Sequence, residues 1–189
     1  MKRLRLFTAV PLPGGMEKAL AGVISEASAK ASGIKWVARD NLHLTLKFFG
    51  DQDEASLPKI VELLEKTADA NHAFEAEMGG FGGFPDLSKP RVLFVPAIKG
   101  QEVLKELVKT MESQFKRAGF ELEEKDFHAH ATLGRVKEGA DTRDVTNFLE
   151  EALPASLGAM RVEHFILFQS KLSREGPAYT SLREFPLKG

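Results

Sequence analysis

The 189-residue sequence contains no cysteine. Disulfide bonds, thiolate metal sites and cysteine nucleophiles are therefore excluded together. The sequence also lacks a run of about 18 apolar residues, the length that a bilayer-spanning helix needs. The apolar stretch that follows the basic N-terminus, residues 1–5, is too short for a secretory signal peptide. We expect a cytoplasmic protein with no membrane partner.

An excess of charge of either sign is absent as well. The chain has 26 Lys and Arg against 27 Asp and Glu, a formal net charge of -1. A protein that binds long nucleic acid through its phosphates is usually basic, so an RNA substrate would be bound at an end or as a small group. The 43% hydrophobic residues suffice for a core, and the length fits one domain or two closely packed lobes.

What the sequence does contain is one short motif twice, at residues 43–46 (HLTL) and 130–133 (HATL). Side chains alternate between the two faces of a strand, so the histidine and threonine of each copy would share a face. A single histidine on a strand is more often a surface or core residue than a catalyst. Because the pairing of an imidazole with a hydroxyl occurs twice, a shared catalytic site is the better interpretation.

The hydrophobic pattern predicts the same order of strands and helices in both halves of the chain. Each half has a strand and a helix before its motif strand and a further helix after it, which indicates an internal duplication with its boundary near residue 95. Two lobes that face each other would bring both motifs into one cleft. The glycine-rich segment 79–85 is predicted as a flexible loop. Predicted strands are 4–10, 42–49, 74–78, 91–98, 127–136, 162–169 and 179–185; predicted helices are 16–31, 53–70, 102–118 and 142–153.

Three stretches resemble the two-histidine phosphoesterase superfamily: residues 36–50 (WVARDNLHLTLKFFG), 128–136 (HAHATLGRV) and 167–187 (LFQSKLSREGPAYTSLREFPL). The likeness is greatest to the RNA 2',3'-cyclic phosphodiesterases, historically called 2'-5' RNA ligases, and it covers nearly the whole chain in order. The resemblance implies an α+β fold, duplicated and bilobal, with two antiparallel sheets flanked by helices around a central cleft.

By the same resemblance, His43 and His130 match the catalytic histidines, and Thr45 and Thr132 match the hydroxyls that bind phosphate. The chemistry supports these roles independently. Hydrolysis of a cyclic phosphate needs a base for the attacking water and an acid for the departing ribose oxygen. Two imidazoles with pKa values near about 6.5 can supply both at neutral pH. The hydroxyls would donate to the non-bridging oxygens, and neither a metal nor a cofactor is needed.

Spacing does not tell which histidine is the acid. The resemblance implies that His43 donates a proton to the leaving 3' oxygen and that His130 accepts the proton of water. The product would then be an RNA with a 2'-phosphate end. The same acid and base could also run the reaction backwards and join RNA ends, but water at high concentration should make hydrolysis dominate.

Weaker candidates lie beside the motifs. Arg135 could bind phosphate, although strand alternation places it opposite His130 unless the strand bulges there. Lys47 falls on the motif face by the same alternation, and an exposed lysine is usually only a solvated side chain. We interpret His128 as a residue that lines the cleft.

Four aromatic residues could stack on a nucleobase: Phe48, Phe81, Phe84 and Tyr179. Phe48 follows the first motif, but alternation puts it on the opposite face of the strand. Most of the 14 phenylalanines must nevertheless belong to the core.

Other functions are compatible with the sequence. His43, His128 and His130 could together bind zinc, which wants three or four clustered ligands. A non-catalytic module that binds RNA ends would tolerate loss of either motif histidine, whereas the enzyme should not. The substrate could also be another small cyclic nucleotide. Nothing in the sequence indicates an obligate oligomer, so we expect a monomer.

Overall fold

The computed structural model describes residues 2–120, 126–173 and 176–189. Four α-helices and ten strands lie in these ranges. The helices are α1 (Gly14–Ser28), α2 (Leu57–Asp69), α3 (Gln101–Arg117) and α4 (Arg143–Ala152); the strands are β1 (Arg3–Pro11), β2 (Ile34–Trp36), β3 (His43–Asp53), β4 (Phe74–Met78), β5 (Gly82–Phe84), β6 (Val92–Lys99), β7 (His130–Val136), β8 (Ala159–Val162), β9 (His164–Leu172) and β10 (Pro177–Pro186).

The helices form where apolar side chains recur every three or four residues. In α3 the buried residues are Leu104, Leu107, Val108, Met111 and Phe115, which form one stripe along the helix. The same spacing buries one face of α2. Because these stripes need an apolar surface to cover, both helices lie on the sheet, where α3 contacts α2 and β3 and where α2 contacts β10. The other two helices are in contact with each other, and α1 also contacts β2.

The strands form a 10-stranded sheet in the order β10-β9-β1-β3-β7-β6-β4-β8, with β2 paired to β7 and β5 to β6. All the strand pairs in this path are antiparallel. The register between β3 and β7 consists of Leu44 opposite Ala131. The sheet therefore has two halves that meet at one narrow point. The predicted α+β class with antiparallel strands is confirmed, and the two expected sheets are the two halves of this path.

The halves of the sheet are not the halves of the chain. In one half, β1 and β3 lie beside β9 and β10, which come from the end of the chain. In the other half, β4 lies beside β6 and β8. Each half of the sheet thus combines strands from both sides of residue 95. The internal duplication with its boundary at that point stays a prediction.

The segment 79–85, expected as a flexible loop, contains the short strand β5. It pairs with β6, and Gly82 lies opposite Phe94. A Cβ atom on Gly82 would come within 2.5 Å of the Phe94 ring. Glycine therefore allows β5 to approach this ring, a tertiary reason that composition alone does not reveal.

The strand predicted at 162–169 corresponds to β9, except that its first residue, Val162, belongs to a separate strand, β8. β8 ends at Val162 and pairs with β4, whereas β9 begins at His164 and pairs with β1 at the other side of the sheet. The strand predicted at 127–136 begins only at His130. Residues 121–125, whose sequence ELEEK predicts an acidic connector, lie outside the described residues. Within the described ranges, no helix has the length and apolar character needed to cross a membrane.

Candidate active site

The two His-x-Thr motifs lie side by side where the halves of the sheet meet. Because Leu44 is opposite Ala131 in an antiparallel pair, counting one residue along each strand brings His43 level with Thr132. Counting in the other direction brings Thr45 level with His130. Leu44 and Ala131 are fully buried, while the histidines and threonines are half-buried on the opposite face. Each imidazole therefore lies across from the hydroxyl of the other motif.

His43 is held in one tautomer by its own strand. Its Nδ1 lies 2.8 Å from the carbonyl oxygen of Asn41, and its Nε2 lies 2.8 Å from the Thr45 hydroxyl. A carbonyl only accepts, so Nδ1 carries a hydrogen, and Nε2 of the neutral ring accepts one from Thr45. The rings of Phe7 and Tyr179 lie 5.1 Å and 5.5 Å from the imidazole, centroid to centroid. Nε2 is the nitrogen left for proton exchange.

His130 repeats this arrangement. Its Nδ1 donates to the carbonyl oxygen of His128 over 2.6 Å, again two residues earlier in the chain. Phe84 and Phe94 place their ring centroids 5.1 Å and 5.0 Å from the imidazole. His128 itself is exposed. Nδ1 of each motif histidine is thus engaged by a backbone carbonyl, which leaves Nε2 as the nitrogen available for proton transfer.

The surroundings lower the pKa of both imidazoles. For His43, burial lowers the pKa, the hydrogen bond to the Asn41 carbonyl raises it, and the charge of His130 lowers it. For His130, burial again lowers the pKa, the hydrogen bond to the His128 carbonyl raises it, and the charges of His128 and Arg135 lower it. A proton on His130 therefore makes protonation of His43 less favourable.

A β-bulge after the first motif exchanges the faces of two residues. Adjacent residues of β1 pair with residues 45 and 47 of β3, which leaves Leu46 as the extra residue. Lys47 therefore points into the protein, where it is 8% exposed and forms an ion pair with Glu112 of α3. Phe48 returns to the motif face, 49% exposed, with its ring 5.4 Å from that of Phe7. The faces predicted for Lys47 and Phe48 were wrong because simple alternation ignores the bulge.

A second bulge follows the second motif at the same position. Adjacent residues of β6 pair with residues 132 and 134 of β7, so Leu133 is the extra residue. Arg135 is consequently placed on the face of His130, which is the condition under which the sequence allowed it a role. Its charge lowers the pKa of both His130 and Tyr179. In both strands the residue five positions after the histidine reaches the cleft.

The other candidates take different positions. Phe84 is not an exposed loop residue, because it stacks on Phe94 at 4.3 Å and contacts His130. Phe81 is half-buried against the hydrophobic core. Within the described part of the chain, no three His, Asp or Glu side chains are gathered so that they could hold a metal ion. The alternative of a zinc site formed by His43, His128 and His130 therefore finds no such cluster among the described residues.

Sequence reasoning missed the roles of Asn41 and Phe7. Asn41 positions His43 through its backbone carbonyl, and its side-chain Nδ2 donates to the carbonyl of Pro177 over 2.9 Å. A partial signal was present, because Asn41 stands two residues before His43 as His128 stands before His130. Phe7 gave no such signal, since its contact with the site follows from strand pairing.

Two imidazoles and two hydroxyls on neighbouring strands, with no third ligand for a metal among the described residues, define a phosphoesterase of the two-histidine type. The sequence model of the 2'-5' RNA ligase superfamily matches residues 16–173. The chain belongs to this superfamily.

Individual proteins are similar over nearly the full length. The RNA 2',3'-cyclic phosphodiesterase of Archaeoglobus fulgidus is 35% identical over 182 residues, which are 96% of this chain and 99% of that protein. The crystal structure of TT0787 of Thermus thermophilus has a TM-score of 0.83 and 32% identity, and the match covers 98% of this chain and 99% of the other. E. coli LigT, crystallised with 3'-AMP, has a TM-score of 0.78 at 24% identity and full coverage of both chains, a likeness of fold.

Proposed function

We propose that the protein hydrolyses the 2',3'-cyclic phosphate ends of RNA to 2'-phosphates. The observation that carries the proposal is the pairing of the motif strands at Leu44 and Ala131, which sets each imidazole across from the other motif's hydroxyl. A phosphorus atom between the strands would have an imidazole on either side. The name of the A. fulgidus relative, RNA 2',3'-cyclic phosphodiesterase, supports this substrate.

The reaction needs one neutral and one protonated imidazole. Nε2 of His130 takes a proton from water, whose oxygen attacks phosphorus in line with the 3' oxygen. As the bond from phosphorus to the 3' oxygen breaks, Nε2–H of His43 gives its proton to that oxygen. The two rings end with exchanged protonation states, and the phosphate remains on the 2' oxygen. We assign acid and base in this order on the family resemblance.

The hydroxyls of Thr45 and Thr132 are proposed to donate to the non-bridging oxygens, whose negative charge grows in the transition state. The Thr45 hydroxyl contacts Nε2 of His43, and we propose that the bound phosphate replaces that contact. Arg135 is proposed to contact the same phosphate as a charged donor. Phe48, half exposed on the cleft face, is proposed to stack on the terminal base.

The direct test uses a short RNA that ends in a 2',3'-cyclic phosphate, incubated with purified protein in excess EDTA. Conversion to a 2'-phosphate end, identified by mobility and by mass, is the expected result. Activity that appears only when zinc or manganese is added would replace the metal-free mechanism with a metal-dependent one. If the protein binds the RNA but does not convert it, with or without added metal, the result would indicate a binding module instead.

The competing reactions use the same cleft and are measured in the same assay. Addition of an RNA with a 5'-hydroxyl should give only a small amount of joined product, because water competes with the hydroxyl. A cyclic mononucleotide, in place of the RNA, tests the alternative that the substrate is a small nucleotide.

We also propose that the protein acts as a monomer. Both motifs of the site come from one chain, so a second copy is not needed to complete it. Size-exclusion chromatography with light scattering should give a mass close to 20.8 kDa. A mass of twice this value that persists when the protein is diluted would contradict the proposed monomer. The cytoplasmic location stays a prediction, which fractionation of the source cells would test.

A further inference from the structure

Arg5 is a cation on the cleft face that the proposed mechanism does not use. It lies on β1 two residues before Phe7, so both side chains point to the same face of the sheet. In the register Arg5 is opposite Ser170 of β9, and Ser170 is opposite Tyr179 of β10. Arg5, Ser170 and Tyr179 therefore form a row across three strands. Arg5 is exposed at one end of this row.

The register places Arg5 beyond the aromatic part of the cleft. Thr45 is paired with Ala9 of β1. Phe48 is paired with Phe7, which is the next residue of β1 along the cleft face. Arg5 is the next residue of β1 on that face. Moving away from His43, the order is hydroxyl, aromatic rings and then the guanidinium group. The groups at an RNA end follow the same order: the cyclic phosphate, the nucleoside that carries it, and the phosphate on the 5' side of that nucleoside.

Both guanidinium groups act on the Tyr179 ring beside His43. The charge of Arg135 acts on both His130 and Tyr179, whereas the charge of Arg5 acts on Tyr179, and each lowers the pKa of the group it acts on. Arg135 therefore acts on an imidazole of the site, whereas the strand register places Arg5 beyond the pair of Phe7 and Phe48. Asp51 is opposite Arg5 in the register, but no ion pair of Arg5 occurs among residues 2–120, 126–173 and 176–189.

A cyclic phosphate carries a single negative charge, which Arg135 and the two hydroxyls can satisfy. On the basis of the proposed function, we propose that Arg5 binds the phosphate on the 5' side of the terminal nucleoside. The guanidinium group suits this task because its planar fork binds two phosphate oxygens at once. The site would then prefer the end of an RNA chain to a cyclic mononucleotide, and Arg5 would determine that preference.

The test compares three substrates: adenosine 2',3'-cyclic phosphate with a 5'-hydroxyl, the same compound with a 5'-phosphate, and a dinucleotide that ends in adenosine 2',3'-cyclic phosphate. The wild-type protein should hydrolyse the second and third with a kcat/KM about 10-fold above that of the first, the size expected for one exposed charge-assisted hydrogen bond. A gain with the 5'-phosphate alone would mean that a terminal monoester is recognised and not an RNA chain, which would overturn the preference for chain ends.

Arg5→Ala should lower this ratio from about 10 to about 1. Arg5→Lys, which keeps the charge without the fork, should give an intermediate ratio. Arg161→Ala is the matched control, because it removes an exposed arginine from β8 at the far end of the sheet and should keep the wild-type ratio. An Arg5→Ala ratio equal to the wild-type ratio would overturn the inference alone. If the wild-type protein hydrolyses none of the three substrates, the proposed function fails, and this inference fails with it.

Discussion

At the scale of single residues, each motif histidine is anchored through Nδ1 to the carbonyl two residues before it. We expect His43→Ala and His130→Ala each to reduce turnover about 10²- to 10⁴-fold, because each removes one partner in proton transfer. Steady-state kinetics on an RNA with a cyclic phosphate end give the reduction, and circular dichroism verifies the fold. A folded variant with near-normal activity would remove that histidine from the mechanism.

The dependence of kcat/KM on pH should be bell-shaped, because one imidazole must be neutral and the other protonated. Burial lowers the pKa of both histidines below the ordinary value of 6.5, so the optimum of kcat/KM should lie below that pH. Bound phosphate favours the protonated rings, which raises their pKa, and the optimum of kcat should therefore lie at a higher pH than that of kcat/KM. A flat profile from acid to alkaline pH would rule out the two-histidine mechanism.

Asn41 joins His43 to the start of β10, since its carbonyl accepts from Nδ1 and its amide donates to Pro177. We expect Asn41→Ala to lower kcat about 10-fold and to shift the pH profile to lower pH. Without the hydrogen bond from its side chain to Pro177, residue 41 holds its backbone carbonyl less firmly against His43. The carbonyl then no longer raises the pKa of His43. Asn147→Ala, an exposed asparagine on α4, is the control. If kcat falls while the pH profile stays unchanged, Asn41 does not act through the imidazole.

At the scale of secondary-structure elements, hydrophobic periodicity predicts those helices and strands that depend on the local spacing of apolar residues. The four helices and most strands were found within a few residues, because their apolar side chains repeat with a regular period. The motif histidines and threonines were placed on a common face because they precede the bulges. Leu46 and Leu133 look like ordinary members of an alternating pattern, and only the partner strand shows that they are extra. The errors for Lys47 and Phe48 have this origin.

Beside the second bulge, β2 approaches β7 closely. A Cβ atom on Gly134 would lie 2.9 Å from Ile34 Cγ2 and from Trp36 Cε3, so Gly134→Ala must displace one of these groups. We expect a loss of about 1–3 kcal/mol in the free energy of unfolding. Activity should fall as well, because Arg135 is the next residue. Urea denaturation measures the first effect and the cyclic phosphate assay the second.

Gly22→Ala provides a control with the same change in chemistry. Gly22 lies in α1, and a Cβ atom there would meet nothing within 4 Å. Alanine should stabilise this helix by about 0.5–1 kcal/mol, since glycine loses more conformational entropy on folding. If both variants proved equally stable, packing between β2 and β7 would not be the factor that restricts residue 134.

At the scale of the whole molecule, strand pairing joins the two halves of the chain. A fragment of residues 1–90 contains β1 without its neighbour β9, and it contains β4 without its neighbour β6. We expect this fragment and its complement 91–189 each to lack cooperative unfolding, and a mixture of both to recover it. The control is intact folded protein cut once near residue 88, in an exposed segment, which should stay folded. Cooperative unfolding of the 1–90 fragment alone would show that the two halves fold separately.

The global arrangement is also where sequence reasoning reaches its limit. The hydrophobic pattern predicts one strand at 162–169, yet Val162 ends β8 at one end of the sheet and the residues from His164 onward form β9 near the other. Alternation is equally good in both strands, so the pattern cannot tell which partner each will choose. Only the competition among available sheet edges decides this, and that competition involves every other strand.

The late position of β9 and β10 in the chain has a consequence for protein synthesis. The N-terminal strands leave the ribosome first, so β1 and β3 can pair early. The other edge of β1 stays unpaired until β9 has been synthesised. Tyr179 and the carbonyl of Pro177, which contact His43 and Asn41, emerge only after both motifs have been translated. Nascent chains, surrounded by ribosomal and messenger RNA, therefore carry an incomplete candidate site. If the proposed function holds, we expect activity on RNA to begin only after β10 has left the exit tunnel.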